Sequence, residues 1–308
     1  AVINSYMTLL NKFNSFWKKL SPNIKGFIFI LIASATFPIM GTTVKYLTSE
    51  LHPFQIAFFR CFFGFMIIIP LIIKKNPSKI LNTKRYPMHI LRGLLGVGAM
   101  MAGFTALSML PLATAVTLGF TRILFLVPLA MLLLGEKPGF LRIFLILLGF
   151  LGVIIMIDPS SDNNITYFSA SLALLGAFLV SCVKLSVKSL SSSESTLTIQ
   201  FYYGIISTTA LIIPCYLFWT PLNSFQIFLI LFAAIVGTIA QMLTIWGLKL
   251  GATTVVMPAD YTRLIFAGIY GFILFNEIPY LNEIIGSFVI IITTMIILYL
   301  DNIKKTIK

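Results

Sequence analysis

Of the 308 residues, 58% are hydrophobic and only 10% charged, and the mean hydropathy is +1.00, whereas an ordinary soluble domain carries about 25% charge. Water is thereby excluded as the solvent of this chain, and the unit to count is a membrane-crossing helix of about 20 residues. The net charge of +13 does not mark a nucleic-acid binder, because the basic residues fall between apolar segments instead of gathering on one soluble face.

Within residues 1–25, Tyr6, Leu9, Leu10, Phe13, Phe16, Trp17 and Leu20 recur at helical spacing opposite Asn11, Lys12, Asn14 and Lys18. This is the pattern of an amphipathic helix lying on the membrane surface. Lys12, Lys18, Lys19 and Lys25 interrupt any continuous apolar core there, which argues against a cleavable signal. Ten apolar segments follow, at 26–47, 54–73, 88–108, 111–134, 139–157, 167–188, 197–218, 224–248, 252–275 and 281–300. Each approaches the length that crosses about 30 Å of hydrocarbon. Pro38 with Gly41 predicts a kink in the first. Residues 195–248 contain no charge, and Trp219 to Ser224 mark the turn that divides them. Cys61, Cys182 and Cys215 lie inside apolar runs without CxxC spacing, which fits buried structural thiols and neither a disulfide nor zinc. No cofactor is expected.

With the N-terminus placed in the cytoplasm, 16 of the 22 Lys and Arg residues fall in inner loops and tails, and the other six lie within spans. The bias predicts both termini inside. The chain also repeats itself. Thr121-Arg122, thirteen residues and Glu136-Lys137-Pro138 match Thr262-Arg263, thirteen residues and Glu277-Ile278-Pro279 at an offset of 141. Val44-Lys45 answers Val183-Lys184, and Phe62-Phe63-Gly64 answers Tyr202-Tyr203-Gly204. Matched residues are five spans apart, and an odd number reverses direction across the bilayer. The expected fold is therefore an all-α membrane protein of ten transmembrane helices, residues 26–157 and 167–300 forming two inverted five-helix repeats, with residues 301–308 as a cytoplasmic tail.

Several stretches resemble bacterial proteins with two EamA domains, within the drug/metabolite transporter superfamily. They are Val-Lys-Tyr-Leu at 44–47, His-Pro-Phe-Gln-Ile-Ala-Phe-Phe-Arg at 52–60, Leu-Arg-Gly at 91–93, Leu-Pro-Leu-Ala-Thr-Ala at 110–115, Leu-Gly-Glu at 134–136 and Pro-Ala-Asp-Tyr-Thr-Arg at 258–263. The resemblance implies ten helices with both ends inside, a central cavity between the halves, and transport of amino acids, S-adenosylmethionine, riboflavin or other metabolites. The chain departs from it at Thr121-Arg122, where many relatives carry an uncharged pair.

A charge at mid-bilayer costs about 2.5–3.5 kcal/mol on insertion scales, so charges within spans mark candidate sites. Lys45, Arg92 and Lys184 lie within about two turns of a span end, from which a long side chain snorkels to the headgroups. Arg60 sits deeper, between a structural contact and a cavity role. Arg122 and Arg263 occupy the centres of spans four and nine as repeat equivalents. Asp260 is the only acidic residue well inside a span. Three positions from Arg263, it fits either an intrahelical ion pair or a proton-coupling group whose pKa burial raises and Arg263 lowers. One carboxylate cannot neutralise two arginines, so Arg122 and Arg263, with Asp260, Tyr261 and Arg60, form the candidate substrate site, and the guanidinium fork fits a carboxylate or phosphate. Tyr261, Trp246 and Tyr270 are candidate cavity aromatics. Glu136 and Glu277, beside prolines, and His52 and His89, at loop edges, read as structural. Gly93, Gly96, Gly103 and Gly237 read as close-approach positions.

The leading function is a secondary transporter of the bacterial inner membrane, coupled to a proton or an exchanged substrate, with a small molecule and the lipid bilayer as partners. No GxxxxGK[ST] run is present for direct ATP drive. An intramembrane enzyme is disfavoured for want of HExxH, facing acidic pairs or a Ser/His arrangement at depth. A lipid flippase or a scaffold stays open.

Overall fold

The computed structural model describes residues 20–74, 82–134, 140–156, 165–191, 193–250, 259–260 and 262–306, and among these no strand occurs. Most of the expected surface helix, together with Glu136 and Tyr261, lies outside the described residues. Eleven helices follow in order: α1 (Pro22–Leu47), α2 (Pro53–Ile73), α3 (Tyr86–Met109), α4 (Leu112–Phe120), α5 (Arg122–Leu134), α6 (Phe140–Met156), α7 (Tyr167–Ser191), α8 (Thr196–Leu217), α9 (Ser224–Leu250), α10 (Thr262–Phe275) and α11 (Leu281–Thr306). Six of them, α1, α2, α3, α7, α8 and α9, have the length and apolarity to cross a membrane, and four shorter apolar helical stretches accompany them.

The starts are set by local chemistry. Ser21 accepts a hydrogen bond from the Ile24 amide at 3.3 Å, and Pro22 occupies the first turn, where its missing N–H costs nothing. This pair starts α1 four residues before the apolar run does. His52 Nδ1 caps Phe54 N at 3.3 Å ahead of Pro53, and its ring stacks on Phe218 at 3.9 Å. Burial holds the His52 pKa below the ordinary imidazole value, which keeps the ring in its neutral, accepting form. Helix α1 runs unbroken through Pro38.

The segment expected as one span at 111–134 is two helices. The Leu118 carbonyl accepts both the Thr121 amide at 3.1 Å and the Thr121 hydroxyl at 2.6 Å. Thr121 itself keeps right-handed helical dihedrals, φ −59° and ψ −14°, with its amide bonded three residues back, so the junction is a single tightened turn. The ladder resumes at Phe125 N to Thr121 O, 3.1 Å. In the matching position of the second half, α10 begins at Thr262.

The dominant helix pairs are α1 with α9, α3 with α7, α6 with α11 and α2 with α8. Exchanging the two halves carries the first pair into the second and each of the other two into itself. The exchange is incomplete: α2 and α3 pack together, whereas α8 and α9 meet marginally at most, and α4 packs on α11 without an equal contact of α6 with α10. Gly93 and Gly96 let α3 approach α8, since a Cβ at either would lie under 3 Å from Ile206 or Tyr203. At Gly103 a Cβ would itself meet open space, but the expected close approach is present: a Cβ on Gly176 of α7 would lie 3.4 Å from the Gly103 backbone nitrogen. The outer surface is apolar: Phe140, Ile154, Ile213 and Phe288 are exposed, as lipid-facing side chains are.

Candidate functional site

Asp260 is the hub of a buried charge cluster at the α4–α5 break. Its Oδ1 accepts from Arg263 Nη2 at 2.6 Å, and its Oδ2 accepts from Arg122 Nη2 at 3.0 Å. Ser34 of α1 donates to Oδ1 at 3.4 Å. The intrahelical pair with Arg263 is thus present, and the same carboxylate also reaches across to Arg122. Each guanidinium is further placed by its surroundings. Arg122 Nη1 donates to the Gly119 carbonyl at 3.2 Å, and the Arg122 carbonyl accepts from Ser181 of α7 at 2.6 Å. Arg263 lies over Phe37 at 4.3 Å and Arg122 over Phe120 at 5.0 Å. Two positive charges still face one negative charge, and the Nε of each arginine meets no protein acceptor.

Lys184 adds a third cation. Its side chain is exposed, and its electrostatic neighbours are Arg122, Asp260 and Arg263. The expected snorkelling toward headgroups does not describe it: the ammonium shares the space of the cluster. Sequence reading missed this role and that of Ser34. Lys184 carried a signal, its repeat relation to Lys45; Ser34 carried none.

Lys45, also expected to snorkel, instead forms an ion pair with Glu277 and donates to the Leu110 carbonyl at 2.6 Å. Glu277 Oε2 accepts from the Leu112 amide at 2.7 Å. The expected structural reading of Glu277 holds in this form: it ties α1, the α3–α4 junction and the end of α10 together at one end of the bundle. Glu283, in the first turn of α11, is buried and accepts from Thr114 at 3.1 Å.

Arg92, the third residue expected to snorkel, is only 5% exposed and lies over the Tyr203 ring at 4.0 Å. Arg60 points to Met40 and Met100 sulfurs and shares no contact with the Asp260 cluster. The five expected site residues therefore separate: Arg122, Arg263 and Asp260 come together, Arg60 lies apart, and Tyr261 is outside the described residues. Trp246 is half exposed and packs edge-on to Phe29, while Tyr270 stacks on Phe266. His89 is buried against Tyr202. Cys61 and Cys215 are buried free thiols and Cys182 is a partly buried one. Among the described residues no group of His, Cys, Asp or Glu has metal-binding geometry.

A tandem all-helical membrane bundle with a charged centre defines the class, and comparison supplies the family. The profile of the EamA-like transporter family matches residues 24–158 and again 167–299, and the chain belongs to that family. The chain is 28% identical to an S-adenosylmethionine uptake transporter of Rickettsia bellii, across 93% of this chain and 96% of that one. It is 25% identical to the pseudopaline exporter CntI of Pseudomonas aeruginosa, with 87% and 93% covered. A riboflavin transporter of Vibrio cholerae is 26% identical, with 89% and 93% covered. A solved crystal structure shares the fold at TM-score 0.60 and 17% identity, over 91% of this chain and 97% of its own.

Proposed function

We propose that the protein is a secondary transporter of the bacterial inner membrane that moves a small metabolite bearing a carboxylate or phosphate by alternating access. In this reading ten spans form two inverted halves with both termini in the cytoplasm, and the substrate's anionic group docks at Arg122, Arg263 and Lys184. The observation that carries it is the charge imbalance around Asp260: one carboxylate bridges two arginines, a lysine lies alongside, and no further negative charge among the described residues balances them. A break in the helix at this point supports the reading, since carriers place substrate where a spanning helix is discontinuous. The exchange-related helix pairs support two matched halves. The relatives' printed substrates, S-adenosylmethionine, pseudopaline and riboflavin, are small metabolites and are the first probes.

The test is uptake and counterflow of those three compounds in proteoliposomes. Arg122→Gln leaves the Arg263–Asp260 pair neutral, so the variant folds. Transport of the compound that the parent protein carries falls at least a hundredfold. Arg122→Lys does not restore it fully if the contact is bidentate. A folded Arg122→Gln protein with parental affinity overturns the proposal, as does lipid scrambling without solute flux.

A further inference from the structure

A second cationic centre, separate from the Asp260 cluster, lies where α2, α3 and α8 meet. Arg60 has Met40 Sδ at 3.3 Å and Met100 Sδ at 3.6 Å as its hydrogen-bonding neighbours. Thioether sulfurs are weak acceptors and carry no charge. Close by, Arg92 is buried against Tyr203, and its Nε and Nη1 meet no acceptor. Both arginines act electrostatically on Cys61 and Tyr203, which lie between them. Among the described residues neither arginine forms an ion pair with an acidic side chain. Cations at membrane depth without a counter-charge mark function by default.

What distinguishes Arg60 from a merely trapped cation is the space beside it. A cavity of about 90 Å³ opens between α2, α8 and α9, at the place where α8 and α9 fail to pack as α2 and α3 do. One water needs about 10–15 Å³ on this measure, so a phosphate or carboxylate group fits. The wall is mixed. Arg60, Gln200 and Gln241 supply donors, while Phe65, Ile68 and the exposed Leu71 are apolar.

We propose that this cavity binds an amphiphilic anion, its carboxylate or phosphate held by Arg60 with Gln200 and Gln241, and its apolar part lying along Phe65, Ile68 and Leu71. The anion comes either from a membrane lipid headgroup or from a soluble metabolite, and the shared chemistry is a compact negative group on an apolar body. The site shares no residue with the Asp260 cluster, so it stands whether or not that cluster binds substrate.

The experiment uses the full-length protein in nanodiscs and reads thermal stability, which a ligand bound only to the folded state raises. One arm compares phosphatidylcholine discs with discs containing phosphatidylglycerol. The other titrates octyl phosphate into phosphatidylcholine discs. The parent protein is stabilised in one arm, and that arm identifies the source, lipid or soluble anion. Arg60→Gln lowers the apparent affinity at least tenfold, while Lys84→Gln, which removes an exposed charge outside both centres, leaves it unchanged. Gly64→Leu is the second variant: its Cβ makes only an ordinary 3.7 Å contact with Thr238, and the rest of its side chain fills the cavity without removing charge. It too abolishes the response. The proposal is overturned if the parent responds in neither arm, if both Arg60→Gln and Gly64→Leu respond as the parent does, or if Lys84→Gln loses the response as well.

Discussion

Asp260 holds an unequal position among the charged residues of the centre. Its two oxygens serve two different arginines from two different halves of the chain, so its loss strands both, while the loss of Arg122 strands neither remaining partner. Breaking a buried pair by removing one member costs about 3–5 kcal/mol, because a charge is left buried without compensation. Asp260→Asn should therefore lower thermal stability severely, and Arg122→Gln only slightly or not at all. Asp260→Asn should also cost less in the Arg122→Gln background than alone, since one fewer guanidinium is stranded. Melting curves of the three purified variants check this ordering, and an Asp260→Asn protein as stable as the parent would reject the bridging role. The three charges were legible in the sequence because each interrupts an apolar run. Their joining was not, since Arg122 and Asp260 are separated by 138 positions and no local periodicity records a tertiary contact. The same gap explains Lys45, Arg92 and Lys184: depth along a span says how far a side chain is from the headgroups, but not which way its helix face turns.

At the scale of elements, apolar segments and their punctuation located most helices, because Pro, Ser and charge end a span for reasons visible in the residue itself. The break at Thr121 escaped notice, as it is a single tightened turn within an otherwise apolar run. The closure at Lys45 and Glu277 is likewise built from ends of elements. Asn276 takes a left-handed turn, φ 52°, which asparagine tolerates better than most residues. That turn brings Glu277 back over Gly271, where a Cβ would lie 2.8 Å from Oε2. Glu277 then holds Lys45 and the first amide of α4 at once. If this arrangement seals one end of the bundle, weakening it should admit reagents to the centre. Gly119 provides the reporter: a Cβ there has open space, and its carbonyl touches Arg122. In a background without native cysteines, Gly119→Cys should react slowly with an impermeant thiol reagent applied from the Lys45 end. Adding Glu277→Gln should speed the reaction at least tenfold. An unchanged rate would show that the pair does not close this path.

For the whole molecule, the decisive claim is that the halves run in opposite directions, and it rests on two separate arguments. Basic residues collect in alternate loops of the expected ten-span arrangement, and the positive-inside rule assigns those loops to the cytoplasm. The repeat offset of 141 then places matched positions an odd number of spans apart. Lys137 and Ile278 are one such pair, each beside the matched Pro138 and Pro279. An inverted duplication puts them on opposite faces of the membrane, whereas a parallel duplication puts them on the same face. Ile278 is 74% exposed, so a cysteine there is open to reagent. In intact cells carrying the cysteine-free protein, Ile278→Cys should label with a membrane-impermeant maleimide directly. Lys137→Cys should label only after the membrane is permeabilised. Ser49→Cys and Lys84→Cys extend the test to opposite ends of the first half, with Ser49 expected outside and Lys84 inside. Labelling of Lys137→Cys and Ile278→Cys from one face would remove the inversion but not the exchange of α1–α9 with α3–α7, which an axis along the membrane normal produces equally well. The charge cluster would then sit between parallel halves, an arrangement that other carriers use, so the inverted repeat would fall without the transport reading.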